Sequence, residues 1–265
     1  MTEVIEDIEY KNFIREIRLL TEIDLTNYKA PQMIRRLNSL MNRMNIPSFS
    51  KYVDLLKSDK VKLQEFKDYI TINVTEFFRN PDKWQELKTA IMPELISSHK
   101  LGTTLKIWSA GSSSGVEAYS LAMMMRKSFP ATDYTIIGTD IDNNMLKKAS
   151  SGIYNTAELK GIDEQLLKEN FTAIDHGSFQ INANLKKNVS FKHGNLLLDN
   201  FDTNFDLILC RNVVIYFTEA AKSVLYHKFY NALRDNGVFF VGSTESILNA
   251  RDIGFKSKLN FFYQK

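Results

Sequence analysis

The sequence predicts an α/β protein in which a small all-α N-terminal domain precedes a larger domain built on a mainly parallel sheet. Glycine, which tight turns between strands commonly require, is absent from the first 101 residues. From about residue 104, β-prone apolar segments alternate with helical ones, as in parallel sheets covered by helices. We therefore expect domains at residues 1–72 and 73–265, with a small β subdomain at about 155–190.

The N-terminal region has the periodicity of amphipathic helices. Apolar side chains recur three or four residues apart in two segments, Tyr10, Phe13, Ile14 and Ile17 in the first, and Met33, Leu37, Leu40, Met41 and Met44 in the second. A polar-aromatic stretch, TINVTEFFRN (71–80), follows. Asn80-Pro81 fits an N-cap followed by proline at the first helical position, and Pro93 should bend or end the helix that begins there.

The second region contains a series of predicted strands and helices. The expected strands lie in LKIWSAG (105–111), YTIIGTDI (134–141), FDLILCRNVVIYF (205–217), VFFVGST (238–244) and, as an edge or antiparallel strand, LNFFYQ (259–264). Helices are expected from Gly115 to about Ser128, in NNMLKKAS (143–150), and from Thr218 to about Arg234. SFQINANL (178–185) and NVSFKHG (188–194) interrupt this order, and we expect both in the β insertion.

Composition excludes several classes of protein. The 34 basic and 31 acidic side chains leave a net charge of +3, too small to indicate a nucleic-acid binder. No apolar run approaches the length of a membrane span, so no membrane insertion is expected. One cysteine and four dispersed histidines argue against a Cys/His metal site. The acidic opening MTEVIEDIEY is unlike a secretory signal, so we expect a cytoplasmic location.

A glycine loop is the first candidate site. Gly111-Ser112-Ser113-Ser114-Gly115 joins a predicted strand to a predicted helix, where open α/β sheets bind ligands. Asp140 ends the next strand and could accept hydrogen bonds from both hydroxyls of a ribose. Alternatively, the loop is only a tight turn, or Ser113 is the nucleophile of a G-x-S-x-G serine hydrolase, with His193 or His227 as its base.

Four longer motifs resemble the CheR family of bacterial chemotaxis-receptor methyltransferases, which use S-adenosyl-L-methionine (SAM). They are TINVTEFFR (71–79), IWSAGSSSGVEAYSLAM (107–123), GTDIDNNMLKKASSGIY (138–154) and FDLILCRNVVIYF (205–217), with NLL (195–197) and GSTES (242–246) as weaker support. The resemblance covers nearly the whole chain. It implies a Rossmann-like methyltransferase domain, the product S-adenosyl-L-homocysteine, and methyl transfer to glutamate carboxylates of chemoreceptors.

The resemblance also implies site residues. The cofactor-binding positions would be Asn73, Thr75, Arg79, Glu117, Asp140, Asn195, Leu196, Arg211 and Asn212, with Arg79 and Tyr216 also catalytic. Arg211 could instead pair with a carboxylate at the sheet edge. Relative to the family loop G-C-S-T-G-E-E-P-Y-S, Ser112, Val116 and Ala118 are departures, whereas Glu117 is retained. The short connection at Asp175-His176-Gly177 argues against tethering to a receptor's C-terminal peptide.

The reaction and the charge pattern fit this resemblance. A glutamate carboxylate is already ionised at neutral pH, so its methylation requires no general base. The window 25–53 has no acidic residue, and a lone charge run of this kind is more often a solvated helix face. The resemblance, however, implies that Arg35, Arg36 and Arg43 face glutamate-rich receptor helices. Nucleic acid ranks lower as the acidic partner. The alternative functions are a SAM sensor without turnover and a methyltransferase for another acceptor.

Overall fold

The computed structural model describes residues 2–21, 23–71, 73, 75–99, 102–175 and 177–265, with side chains from residue 8 onward. The chain forms two compact units. The first comprises Met1–Ile72 together with Tyr216–Ser223, and the second comprises Asn73–Ile215 together with Val224–Lys265.

Four helices make up most of the first unit: α1 (Thr2–Thr21), α2 (Ala30–Arg43), α3 (Phe49–Ser58) and α4 (Lys60–Ile70), with a 3-10 turn at Leu25–Asn27. Ser48 and Asp59 begin α3 and α4 as N-caps, because their side chains accept backbone N–H groups of the first turn. Phe13 lies at the centre, with its ring 5.9 Å from that of Tyr52 and 6.1 Å from that of Phe66. The predicted all-α domain is confirmed.

A distant segment, Tyr216–Ser223, completes the first unit. The backbone N–H of Lys29 donates to the carbonyl of Tyr216 (3.0 Å), and that of Thr218 donates to the carbonyl of Asn27 (2.8 Å). The rings of Tyr28 and Phe217 meet edge to face at 5.1 Å. Through these contacts Tyr216–Ser223 belongs to the first unit, although in the sequence it follows a strand of the second unit.

The second unit opens with a helix that changes pitch before a proline. α5 (Pro81–Glu86) continues through a π-helical turn at Leu87–Ile91 into α6 (Met92–Ser97). Since Pro93 has no N–H and crowds the carbonyl four residues earlier, a wider turn at this point accommodates it. Asn80 occupies the N-cap position as predicted, but its side chain makes no capping bond. The expected capping interaction is therefore wrong, and that side chain instead accepts a hydrogen bond from Arg211.

A seven-stranded sheet forms the core of the second unit. The strands of this sheet are β1 (Leu105–Ala110), β2 (Tyr134–Asp140), β6 (Val189–His193), β7 (Phe205–Cys210), β8 (Leu233–Val241), β9 (Lys256–Leu259) and β10 (Phe262–Gln264). They lie in the order β6-β2-β1-β7-β8-β10-β9, and the first five in this order are parallel, whereas β10 runs antiparallel to both β8 and β9. The helices between them are α7 (Val116–Ser128), α8 (Asn143–Ser151), α11 (Glu219–Ala232) and α12 (Ala250–Ile253), and a 3-10 turn at Val214–Tyr216 precedes α11. Tyr216 and the residues of α11 up to Ser223 belong to the first unit.

The insertion is smaller than the sequence predicts. A separate three-stranded sheet, β3-β5-β4, contains β3 (Ile153–Asn155), β4 (Phe171–Asp175) and β5 (Ser178–Ile181), accompanied by α9 (Glu164–Asn170) and α10 (Ala183–Lys186). NVSFKHG was wrongly placed in the insertion, because β6 pairs in parallel with β2 at the edge of the main sheet. β4 and β5 pair up to Asp175 and Ser178, so the connection is short, and its His176 lies outside the described residues.

No helix within the described residues is both long and apolar enough to cross a membrane.

Candidate functional site

The glycine loop between β1 and α7 is shaped by its protein neighbours. Gly111 and Gly115 have φ angles of 76° and 84°, in the left-handed region that favours glycine. A Cβ on Gly111 would lie 2.6 Å from Cγ2 of Val213, and one on Gly115 would lie 2.7 Å from Cζ of Phe191. Both glycines are therefore required by tight packing after β7 and against β6, whether or not a ligand is bound.

Asp140 is buried at the carboxyl end of β2. Its Oδ2 accepts the backbone N–H of Ser113 (2.7 Å), and its Oδ1 accepts that of Asp142 (2.9 Å). Burial raises the pKa of the Asp140 carboxyl, and these backbone hydrogen bonds oppose the shift. Each oxygen accepts one of the two bonds, and a carboxylate oxygen can accept more than one. The group is therefore suited to receive the two hydroxyls of a ribose.

The side-chain amide of Asn73 bonds to two residues next to Asp140, Ser113 and Asp142. The hydroxyl of Ser113 donates to Asn73 Oδ1 (3.0 Å), and Asn73 Nδ2 donates to Oδ2 of Asp142 (2.9 Å). Asp142, which the sequence analysis missed, is also the N-cap of α8, where its Oδ1 accepts from the backbone of Asn144 and Met145. An aspartate directly before a helical segment is an N-cap signal that could have identified it.

Glu117 and Arg211 form a buried ion pair beside this loop. Nη1 of Arg211 lies 3.4 Å from Oε2 of Glu117, whose Oε1 accepts the hydroxyl of Ser109 at 2.8 Å. Burial raises the pKa of the Glu117 carboxyl, and the charge of Arg211 is the strongest opposing influence, with a smaller one from Arg79. Arg211 therefore contacts a carboxylate, and its contact with the cofactor stays a prediction.

The rest of the Arg211 guanidinium is also occupied. Nη2 donates to the carbonyl of Arg79 (2.8 Å) and to Oδ1 of Asn80 (3.1 Å), and the guanidinium carbon lies 4.6 Å from the ring centre of Phe240. The indole N–H of Trp84 donates to the same Arg79 carbonyl at 3.1 Å. Arg211 therefore holds the backbone at Arg79, which brings Arg79 close to Glu117.

Glu245 holds the backbone that follows Arg211. Its Oε2 accepts the N–H groups of Asn212 and Gly242, both at 2.7 Å, and its Oε1 accepts that of Ile215 at 3.2 Å. The side chain is buried, and burial raises the pKa of its carboxyl. Asn212 has a φ of 61°, a turn conformation that these bonds stabilise. Glu245 lies in the GSTES motif, but only the tertiary structure shows that its carboxylate accepts backbone N–H groups after Arg211.

Asn195 and Leu196 border a cavity of about 120 Å³ after β6, lined in part by Trp108, Thr139 and Phe201. The side chain of Asn195 accepts the backbone N–H groups of Leu197 and Leu198, at 3.0 and 3.3 Å. The carbonyl of Leu196 accepts a hydrogen bond from Lys228 of α11 (2.7 Å).

Thr75 and Tyr216 are the remaining predicted site residues. Thr75 is half-buried in the segment after Asn73. Tyr216 belongs to the first unit, in which its carbonyl accepts from Lys29. Within the described residues, no group of three or more His, Cys, Asp or Glu side chains is placed to hold a metal ion.

Comparison with known families identifies the chain. Residues 73–260 match the SAM-binding domain of CheR methyltransferases, and residues 8–71 match the all-alpha domain of the same proteins. The chain belongs to the CheR methyltransferase family. The CheR resemblance inferred from the four motifs is thus confirmed, as is S-adenosylmethionine as the cofactor. The mainly parallel sheet of the SAM-binding domain confirms the Rossmann-like fold.

Curated relatives agree over nearly the whole chain. Chemotaxis protein methyltransferases of Listeria monocytogenes and Listeria innocua are each 40% identical to it, covering 99% of this chain and 100% of theirs. Chemotaxis protein methyltransferase 1 of Pseudomonas aeruginosa is 33% identical over 82% of both chains. As a CheR family member, the protein carries out SAM-dependent methylation in chemotaxis.

Proposed function

We propose that the protein transfers the methyl group of SAM to glutamate side chains of chemoreceptors in the cytoplasm, forming methyl esters. The observation that carries the proposal is the buried Asp140 carboxylate at the end of β2, next to the glycine loop, in a chain of the CheR family. Residues 73–265 would bind SAM and catalyse transfer, and residues 1–72 would recognise the receptor.

The proposed cofactor site has two clusters. Asp140 would receive the ribose hydroxyls, and Asn73 lies beside it through its bonds to Ser113 and Asp142, with Thr75 two residues further along the chain. Asn195 and Leu196 would border the adenine. Glu117 and Arg79 would contact the amino-acid end of SAM, whose amino and carboxylate groups complement their charges. Arg211 and Asn212 complete the set, and the contacts of Arg211 favour a positioning role, because they are made to Glu117, Asn80 and the backbone of Arg79.

The transfer itself makes modest demands on the protein. The sulfonium of SAM supplies an activated methyl group, which a glutamate oxygen attacks while the electron pair of the broken S–C bond stays on sulfur. No proton moves, because the attacking carboxylate is already ionised at neutral pH. Arg79 would orient this carboxylate through its guanidinium, and Tyr216 would hydrogen-bond to it. Orientation and exclusion of water then supply the acceleration.

One face of α2 is suited to an acidic helix. An open groove follows Arg35, Asn38, Asn42 and Arg43, which recur at helical spacing, with Ile34 as an apolar contact. Arg35 and Arg43 are exposed. Arg36 is half-buried and donates to the carbonyl of Tyr69, and its guanidinium and that of Arg43 lie 4.6 and 5.0 Å from the Tyr69 ring centre. Arg35 and Arg43 would present their exposed positive charges to the acidic partner, and the Tyr69 ring supports the guanidinium of Arg43.

Incubation with methyl-labelled SAM and chemoreceptor-containing membranes tests the proposal. Base-labile label on the receptor is expected, because methyl esters hydrolyse in base. Binding of S-adenosylhomocysteine without any transfer would instead indicate a sensor, and base-stable label would indicate another kind of acceptor. Labelling of Ser113 by a fluorophosphonate would support the hydrolase.

The basic face is tested separately with a matched control. Replacing both Arg35 and Arg43 with alanine should slow receptor methylation about tenfold at low salt and leave S-adenosylhomocysteine affinity unchanged, since electrostatic steering acts on encounter. Arg15→Ala removes an arginine of α1 whose side chain is 71% exposed, and should have little effect. Equal rates for the double variant and the control would contradict the proposed docking face.

A further inference from the structure

Four residues around the glycine loop close a ring of hydrogen bonds through their side chains and two backbone N–H groups. Ser113 donates its backbone N–H to Asp140 (2.7 Å) and its hydroxyl to Asn73 (3.0 Å). Asn73 donates its amide N–H to Asp142 (2.9 Å), and Asp142 donates its backbone N–H back to Asp140 (2.9 Å). The ring joins the end of β2, the β1–α7 loop, the start of α8 and the start of the second unit.

The geometry points to Asp142 and Ser113 as positioning residues that hold the Asn73 amide and the Asp140 carboxylate ready for SAM. This inference rests on the proposed assignment of Asn73 and Asp140 to the cofactor site. Neither Asp142 nor Ser113 is among the cofactor-binding positions that the family resemblance implies. Asp142 and Ser113 are 5% and 8% exposed, so the ring is largely shielded from water that would otherwise compete for its hydrogen bonds.

Each hydrogen bond of the ring has a defined donor and acceptor. An amide side chain has one oxygen and one NH₂ group, and the two can exchange places by a half-turn. Because Ser113 donates to the oxygen and Asp142 accepts from the nitrogen, the ring selects one orientation of the Asn73 amide. Likewise, the N–H groups of Ser113 and Asp142 approach different oxygens of Asp140 and thereby orient its carboxylate plane.

Asp142→Asn is the most informative change. Asparagine remains a good N-cap, so the bonds from Asn144 and Met145 to Oδ1 can persist and α8 should stay capped. At the other position, however, an NH₂ group would face the NH₂ of Asn73, and one of the two amides must turn. Asp163→Asn is the matched control, because Asp163 caps α9 through the N–H of Leu166 and lies outside the ring.

Calorimetric titration with S-adenosylhomocysteine provides the primary measurement. We expect Asp142→Asn to weaken binding about tenfold, the effect of losing one well-formed hydrogen bond of about 1.4 kcal/mol, and Asp163→Asn to leave it unchanged. Ser113→Ala should weaken binding to a similar extent. Their combination should cost less than the sum, since either change alone opens the ring. Wild-type affinity in Asp142→Asn, or strict additivity, would overturn the inference.

An exchange variant tests the ring without any ligand. Asn73→Asp alone places two carboxylates opposite each other. Combining it with Asp142→Asn restores one amide opposite one carboxylate, and the carboxylate at position 73 can still accept the hydrogen bond that the Ser113 hydroxyl donates. The exchanged protein should therefore melt at a higher temperature than either single variant, and failure to do so would refute the ring. If the wild-type protein did not bind S-adenosylhomocysteine at all, the proposed function would fail instead, and the melting comparison would still report on the ring.

Discussion

Replacing Arg211 with methionine should be among the most damaging single changes in the second unit. Methionine keeps an unbranched apolar side chain but removes the guanidinium, which lies over the Phe240 ring. That guanidinium reaches Glu117, Asn80 and the carbonyl of Arg79. The side chain of Arg211 is 3% exposed and that of Glu117 is 14% exposed. Water therefore cannot replace the lost cation, and the carboxylate stays buried without its partner.

The size of the effect follows from the geometry of the pair. At the observed 3.4 Å, with an effective dielectric constant of about 20, the Coulomb attraction is about 5 kcal/mol. The variant no longer bears the cost of burying the guanidinium, which offsets part of the lost attraction. It also loses the hydrogen bonds to Asn80 and the carbonyl of Arg79, which increases the loss of stability. We expect unfolding to become easier by roughly 3–5 kcal/mol, the range for removing one partner of a buried ion pair.

The loss should depend on pH in a defined direction. Burial already raises the pKa of Glu117, and Arg211 opposes that shift, so removing Arg211 raises the pKa further. A carboxyl whose pKa is higher in the folded than in the unfolded state contributes stability at low pH and loses it as the pH rises through the folded value. The deficit of the variant should therefore be smallest near pH 5 and grow towards pH 8.

Urea unfolding followed by tryptophan fluorescence measures these changes, because Trp84 and Trp108 both lie in the second unit. The matched control is Lys192→Met, which breaks an ion pair with Asp202 at 3.2 Å between side chains that are 57% and 53% exposed. That change should cost less than about 1 kcal/mol. A loss below 1 kcal/mol for Arg211→Met, or one that does not vary with pH, would refute the reasoning.

Three further predictions concern the loop, the backbone support and the basic face. Gly111→Ala should lower the melting temperature more than Gly102→Ala, because both have φ near +77° but only a Cβ at 111 meets Val213; equal shifts would contradict this. Glu245→Ala should lower the free energy of unfolding in urea by about 3 kcal/mol or more, since three backbone N–H groups lose their acceptor. A change under 1 kcal/mol would show that water replaces the carboxylate as the acceptor. Receptor methylation should slow as salt is raised from about 50 to 200 mM, because the encounter with the receptor depends on the basic face. The affinity for S-adenosylhomocysteine should stay constant over the same range. Salt-independent methylation rates would contradict the role of Arg35 and Arg43.

Local sequence determined the elements that depend on near neighbours. Helical periodicity located α1 and α2, and alternation of strands and helices predicted the parallel core of β1, β2 and β7. These predictions succeeded because apolar spacing records which face of an element is buried. The four motifs also predicted the family and the cofactor, which the comparisons confirm.

Other features depended on contacts between residues far apart in the chain. Nothing near NVSFKHG distinguishes a strand of the insertion from an edge strand of the main sheet, and its pairing with β2 decided the question. Likewise, Tyr216–Ser223 follows β7 in sequence but folds with the first unit through Tyr28 and Lys29.

The site shows the same division. Sequence alone singled out Asp140, Asn73, Glu117 and Arg211 through residue type and motif. Tertiary structure decided that Arg211 pairs with Glu117, and that Asp142 completes a ring with Asn73. Partners separated by 94 and 69 residues leave no periodic signal, and burial makes their pairing strong because it removes the water that would otherwise compete for each polar group.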